Sequence, residues 1–310
     1  MAVQRTFCLT PQLLAQHAGG EVLCLDRQAE GRSYRLSDER PGVGTDGNEP
    51  LYTHVDVGEV EEATKVIAVR IGGVLEQRAG YHDYCGGWTD GHDAVAERMT
   101  EALAAGDVVM IIDSPGGAAA GVEEAIRTVL KAKAEHGRRV YAFADELIGS
   151  AAYWWACSVA DEIYIPKSGV VGSIGARAAH ASTAGALKKQ GVEVTYFVWP
   201  GDGKIAYAQE RPLSDIGRAR GDRDVALVGE AFAKAVAEGR GISMEAIVEL
   251  NADCLTGKAA VDAGLADGVA SMDDVIEHAL AVASGEESNM AIKTEEQNEP
   301  EATEDPTEEA

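Results

Sequence analysis

From Val66 to Ile165, short and almost wholly apolar runs alternate with segments of helical spacing, and this alternation restricts the fold more than any other feature of the chain. The runs are Val66–Ile71, Val108–Ile112, Val140–Ala144 and Glu162–Ile165. They lack the polar residue at every second position that marks a strand with one wet face. Strands of this kind are covered on both faces, as in a parallel sheet whose crossover helices lie above and below it. His92–Ala105, Gly121–His136 and the apolar segment after Ser150 supply the intervening helices. Further on, the spacing predicts a helix over Thr183–Gln190 and a strand over Val192–Trp199. Helices are then expected from an Asp224 N-cap to Glu238, over Met244–Leu250, over Lys258–Ala263 and over Met272–Ala283. The expected class is α/β, with a largely parallel sheet and flanking helices.

Three segments are expected in the 310 residues. Residues 1–63 are polar and weakly periodic, with Leu51–Val57 a candidate strand, and residues 64–285 form the α/β domain. Residues 286–310 hold ten acidic residues, one lysine and no aromatic residue, the composition of a disordered tail. The net charge of −25 argues against nucleic acid or an anionic membrane surface as the main partner. The N-terminus lacks the apolar run of a signal peptide, and no stretch of about 18 apolar residues is present to anchor the chain in a membrane. The five cysteines (Cys8, Cys24, Cys85, Cys157 and Cys254) are scattered without C-x-x-C spacing. No zinc site, other metal site or disulfide framework is therefore expected, and a reducing cytoplasm is the simplest setting.

One serine stands where chemistry could occur. In Gly149-Ser150-Ala151-Ala152-Tyr153, Ser150 lies at the mouth of an apolar helix, beside free backbone N–H groups and the positive end of the helix dipole. Those conditions suit a nucleophile and its oxyanion. They equally suit an ordinary N-cap. Asp113-Ser114-Pro115-Gly116-Gly117, between a buried strand and a helix, reads as a turn whose backbone N–H groups can approach an anion. It matches neither a Walker loop nor G-x-G-x-x-G, so no nucleotide is expected. None of His17, His54, His82, His92, His136, His180 and His278 lies in a motif directing it at Ser150, and each reads as solvated or structural. A lysine base is the alternative, since a neutral amine can deprotonate a serine. Lys204 stands just past the end of the expected apolar strand Val192–Trp199, where α/β sheets place functional loops. Lys188 and Lys189 sit on an amphipathic helix and Lys167 in a turn.

Taken in order, Asp113-Ser114-Pro115-Gly116-Gly117, Gly149-Ser150-Ala151-Ala152-Tyr153, Ala160-Asp161-Glu162-Ile163 and Val171-Gly172-Ser173-Ile174-Gly175 resemble the signal peptide peptidase A family of serine peptidases. The resemblance extends over residues 64–283, through Gly257-Lys258-Ala259-Ala260-Val261 and Gly264-Leu265-Ala266-Asp267. It implies a crotonase-like fold related to the Clp protease, with 64–285 as the catalytic domain. Ser150 is then the nucleophile, Lys204, 54 residues on, its general base, and Gly116 or Gly117 with Ala151 the oxyanion hole. Ser173 supports the site, and no cofactor is implied. The chain departs from the family in having Ala-Ala after Ser150 where Gly-Gly is usual. Without a membrane anchor, and with an acidic C-terminal extension, it looks most like the phage capsid (prohead) maturation proteases. That branch implies scaffold, portal or capsid proteins as substrates, a homo-oligomer, and action in the host cytoplasm within the assembling prohead. The alternatives are a bacterial peptidase degrading peptide remnants, and a crotonase-like acyl-CoA-binding or assembly protein.

Overall fold

The computed structural model describes residues 22–25, 66–82 and 87–285. The expected Leu51–Val57 strand, the acidic tail and most of the 1–63 segment lie outside them. In chain order the elements are β1 (Val22–Leu25), β2 (Val66–Glu76), β3 (Gly80–His82), β4 (Gly87–Gly91), α1 (His92–Ala105), β5 (Asp107–Gly117), α2 (Val122–His136), β6 (Val140–Gly149), α3 (Ala151–Val159), β7 (Glu162–Ile165) and β8 (Val170–Gly172). There follow α4 (Ala184–Lys189), a 3-10 turn (Asp202–Ile205), α5 (Asp215–Arg240), α6 (Met244–Glu249), β9 (Cys254–Thr256), α7 (Lys258–Asp262), β10 (Gly268–Val269) and α8 (Met272–Ala283).

The sheet runs β10-β7-β6-β5-β2-β4-β3. Every neighbouring pair on this path is parallel except β3 with β4. The apolar runs are continuous because both faces of the sheet are buried. On β5, Val108, Met110 and Ile112 point into a large core shared with α1, α2, α3 and α5, while Val109 and Ile111 point into a smaller one beneath α8. On β6 the same alternation sends Ala142 and Ala144 one way and Tyr141 and Phe143 the other. Period-two geometry on a sheet covered on both sides demands this pattern. The α8 helix matches its expected bounds and begins with a capping box between Ser271 and Asp274.

Helix α3, which follows Ser150, is the centre of the larger core. Eight of its nine residues are buried and it carries no charge, as befits a helix enclosed on all sides. Trp154 stacks on Phe232 of α5 with centroids 4.9 Å apart, and the Tyr153 hydroxyl donates to the Leu265 carbonyl (2.8 Å). Cys157 behaves as the core residue its neighbours suggest, burial pushing its thiol up to about 12.

Three expectations about the elements are corrected. The strands β2 and β5 do not end at Ile71 and Ile112 but run on to Glu76 and Gly117, so the Ser-Pro-Gly-Gly segment is strand, not turn. Pairing with a neighbour needs only backbone groups, and register shifts at Gly72/Val74 and Ile112/Ser114 accommodate the irregular ends. Helix α5 begins nine residues before Asp224, its true cap being the Ser214 hydroxyl, which accepts from the Gly217 N–H. Val192–Trp199 alternates like a strand but pairs with nothing among the described residues and forms no strand. It belongs to an arm between Gly175 and Gly217 in which only Ala206 is buried. No helix among the described residues is long and apolar enough to cross a membrane.

Candidate active site

Strand β6 delivers Ser150. Its first half pairs with β7 and its second half with β8, which holds Gly149 opposite Gly172. Ser150 then turns sharply, with φ 51° and ψ −123°, before α3 begins. A non-glycine residue in that region is strained by about 1–3 kcal/mol and persists only where its surroundings impose it. The surroundings here are two backbone bonds: the Ser150 N–H donates to the Gly172 carbonyl (2.9 Å), and the Ser150 carbonyl accepts from the Trp154 N–H (3.0 Å). The hydroxyl makes no capping bond to the helix. This disposes of the N-cap reading of Ser150. Its Oγ is hydrogen-bonded to no described residue, at a half-buried position on the mouth of α3.

Gly116, the first of the two glycines at the end of β5, lies directly against this serine. A Cβ placed on Gly116 would fall 2.6 Å from the Ala151 nitrogen and the Gly149 oxygen, and 2.7 Å from the Ser150 Cβ. One on Gly117 would fall 1.8 Å from the Leu75 oxygen. Gly116, with φ 85°, is therefore glycine for two reasons, conformation and contact. Its N–H already has a partner, the Ser114 Oγ (3.1 Å), and the Ser114 hydroxyl in turn donates to the Gly73 carbonyl (2.6 Å). Ser114 is fully buried and locks the irregular ends of β2 and β5 together. In the sequence nothing sets Ser114 apart from the rest of its motif, since this role depends on Gly73, 41 residues away.

From this packing we expect Gly116→Ala to cost about 2–5 kcal/mol in chemical denaturation, combining left-handed strain with overpacking. Gly137 is the control. It has φ 59° but no heavy atom within 4 Å of a built Cβ, so Gly137→Ala isolates the backbone penalty of about 1–2 kcal/mol.

The structure brings Gly116, and with it the adjoining Gly117, up to Ser150 and Ala151, and Lys204 makes no hydrogen bond to any of them. That lysine stands on the 3-10 turn of the arm, exposed, and its Nζ has no hydrogen bond or ion pair to a described residue. Lys167 is also exposed, as are Lys188 and Lys189. Ser173 has φ 55°, and its N–H donates to the Asp253 carbonyl (3.0 Å), which fixes the turn after β8. Among the described residues no cluster of side chains is arranged to hold a metal ion.

Nor does any described histidine bond Ser150. His278 contacts Glu162 (3.1 Å), and His180 contacts the Ala208 carbonyl (3.2 Å). His92 is fully buried, its Nε2 lying 2.7 Å from the Ala118 oxygen and its Nδ1 accepting from the Trp155 indole (3.0 Å). Burial lowers its pKa, against the opposing pull of the Ala118 carbonyl and of Asp90, Asp93 and Glu76. A depressed histidine stabilises the fold fully above its unfolded value of 6.5, and that contribution is lost as pH falls through the lower folded value. Urea midpoints should therefore drop between pH 7.5 and pH 5, and His92→Gln should flatten this part of the pH dependence.

Residues 132–284 match the model of peptidase family S49. The capsid assembly protease C of Escherichia phage lambda is 28% identical over 189 residues, covering 60% of this chain and 42% of that protein. The head-tail preconnector protein GP5 of Enterobacteria phage P21 is 27% identical over 242 residues, covering 77% and 47% respectively. The chain thus spans less than half the length of either phage protein. The matched region contains the strained serine, its buried helix and the β8 turn that holds it, so it is in these residues that the chain is similar to peptidase family S49.

Proposed function

We propose that this chain is a serine endopeptidase that acts in phage head maturation through a Ser150–Lys204 dyad. The observation that carries the reading is the conformation of Ser150. A strained serine with an uncommitted hydroxyl, set at a helix mouth against a bare glycine strand, is costly unless it is used. In the proposed reaction neutral Lys204 takes the Ser150 proton while Oγ attacks the scissile carbonyl. The tetrahedral oxyanion rests on backbone N–H groups of Ala151 and of Gly117 or Gly116, the last shared with Ser114 Oγ. Collapse expels the amine with the proton from Lys204, and water then cleaves the acyl-enzyme by the same route.

Two features support completion of the site by assembly of several chains. Lys204 is exposed in the single chain, whereas an amine base must be drawn into a drier place to lose its proton at neutral pH. The arm that bears it also exposes Phe197 (95%) and Trp199 (86%), along with Val192, Val194 and Tyr196. Apolar side chains concentrated in this way mark a surface that meets protein. The substrates in this reading are scaffold, portal or capsid proteins within an assembling head in the host cytoplasm, and the likeness to a phage capsid assembly protease and a head-tail preconnector protein supports it.

A fluorophosphonate probe tests the chemistry directly, because it phosphorylates an activated serine with loss of fluoride. Labelling that maps to Ser150 is the expected result. An unlabelled wild-type chain, or labelling elsewhere, would overturn the peptidase reading and favour an acyl-CoA-binding or assembly role.

A further inference from the structure

His92 occupies an unusual place for a buried histidine. It is the first residue of α1, and its ring is fully enclosed. The Trp155 indole can only donate, so Nδ1 must be the acceptor and Nε2 must carry the proton given to the Ala118 carbonyl. Its two partners thus fix one tautomer of a neutral ring. Each leads straight to the site. Ala118 directly follows Gly117, and its own N–H is pinned to the Leu75 carbonyl (2.7 Å). Trp155 is fully buried in α3, one turn beyond Ala151. One imidazole therefore joins the end of the glycine strand to the helix that presents Ser150. Between those parts there is no slack, since Gly116 meets Ser150 and Ala151 at contact distance.

We propose that His92 is a positioning residue, setting the separation between the oxyanion strand and the Ser150 helix through its bonds to Ala118 and Trp155. The proposal rests on the peptidase reading of Ser150. Misplacement of reacting groups by a fraction of an ångström to 1 Å is costly in rate even when the fold survives. Loss of the bridge should therefore slow reaction at Ser150 without weakening the encounter with the reagent.

Fluorophosphonate labelling of the full chain separates this from a purely structural role. Its adduct places a phosphoryl oxygen where the oxyanion would sit, so its maximal rate reports that geometry. His92→Leu fills the space but makes neither bond, and it should lower the maximal labelling rate about tenfold or more. The concentration for half-maximal rate should not change. His92→Gln offers one donor and one acceptor and should recover the rate to within about threefold. Trp155→Phe removes the indole donor and should slow labelling even if His92→Leu does not fold. Circular dichroism at the labelling temperature counts only folded protein. Wild-type rates in folded His92→Leu or Trp155→Phe, or no rescue by glutamine, would overturn the proposal. Failure of the wild-type chain to label Ser150 would instead overturn the peptidase reading.

Discussion

Ser150→Ala should reduce peptide-bond cleavage by about 10⁴-fold or more while leaving the stability of the fold unchanged within about 0.5 kcal/mol. The two halves of this expectation come from separate observations. The activity loss follows from removal of the attacking oxygen, with only substrate binding and the oxyanion donors left to act. The absence of a stability loss follows from the hydroxyl's lack of partners. Replacing a serine that caps a helix commonly costs about 0.5–2 kcal/mol, but Ser150 makes no capping bond. Alanine inherits the same strained backbone, and its methyl occupies the space of the serine Cβ. Cleavage of a co-expressed scaffold protein and urea denaturation of the purified variant measure the two quantities. Retained cleavage would remove Ser150 from the chemistry, and a large stability loss would mean that it caps α3 after all.

The parts of the fold legible in the sequence are those where burial on both faces leaves a compositional mark. Val108–Ile112 and Val140–Ala144 could hardly be anything except interior strands, and Met272–Ala283 carries both a helical stripe and a cap. Strand extensions through Gly72–Glu76 and Ser114–Gly117 leave no such mark, because backbone pairing does not require apolar side chains. Helix α5 hides its first turns because Gly217 and Gly221 interrupt the pattern. Gly217 is there because a Cβ would fall 2.3 Å from the Ala206 oxygen, a tertiary reason that no local window contains. At the site, Ser150 and the glycine pair were legible as a motif. The strain at Ser150, the Ser114 lock and the His92 bridge were not, since each depends on contacts between distant residues. A signal for His92 did exist: Trp155 sits in a wholly buried stretch of helix, and a buried indole N–H has to find an acceptor.

Val192–Trp199 fails differently, and its failure bears on the catalytic base. Its alternation is genuine, yet no strand among the described residues pairs with it and its aromatic residues are exposed. A pattern that one chain does not use is explained if another chain uses it. The lysine carried by the same arm should then act on the serine of a neighbouring subunit. Lys204→Ala should lower cleavage by about 10²–10⁴-fold, the usual contribution of a general base. Lys204→Arg should not restore it, because a guanidinium stays protonated and has no lone pair to accept the serine proton. Neither variant should disturb folding, since the Nζ bonds no described residue. The decisive measurement mixes two inactive proteins. If Ser150→Ala and Lys204→Ala chains are unfolded together and refolded in equal amounts, shared sites regain about one quarter of wild-type activity, each intact site drawing its serine from one parent and its lysine from the other. A dyad closed within one chain regains nothing, and then the exposed aromatic surface of the arm must serve some other contact.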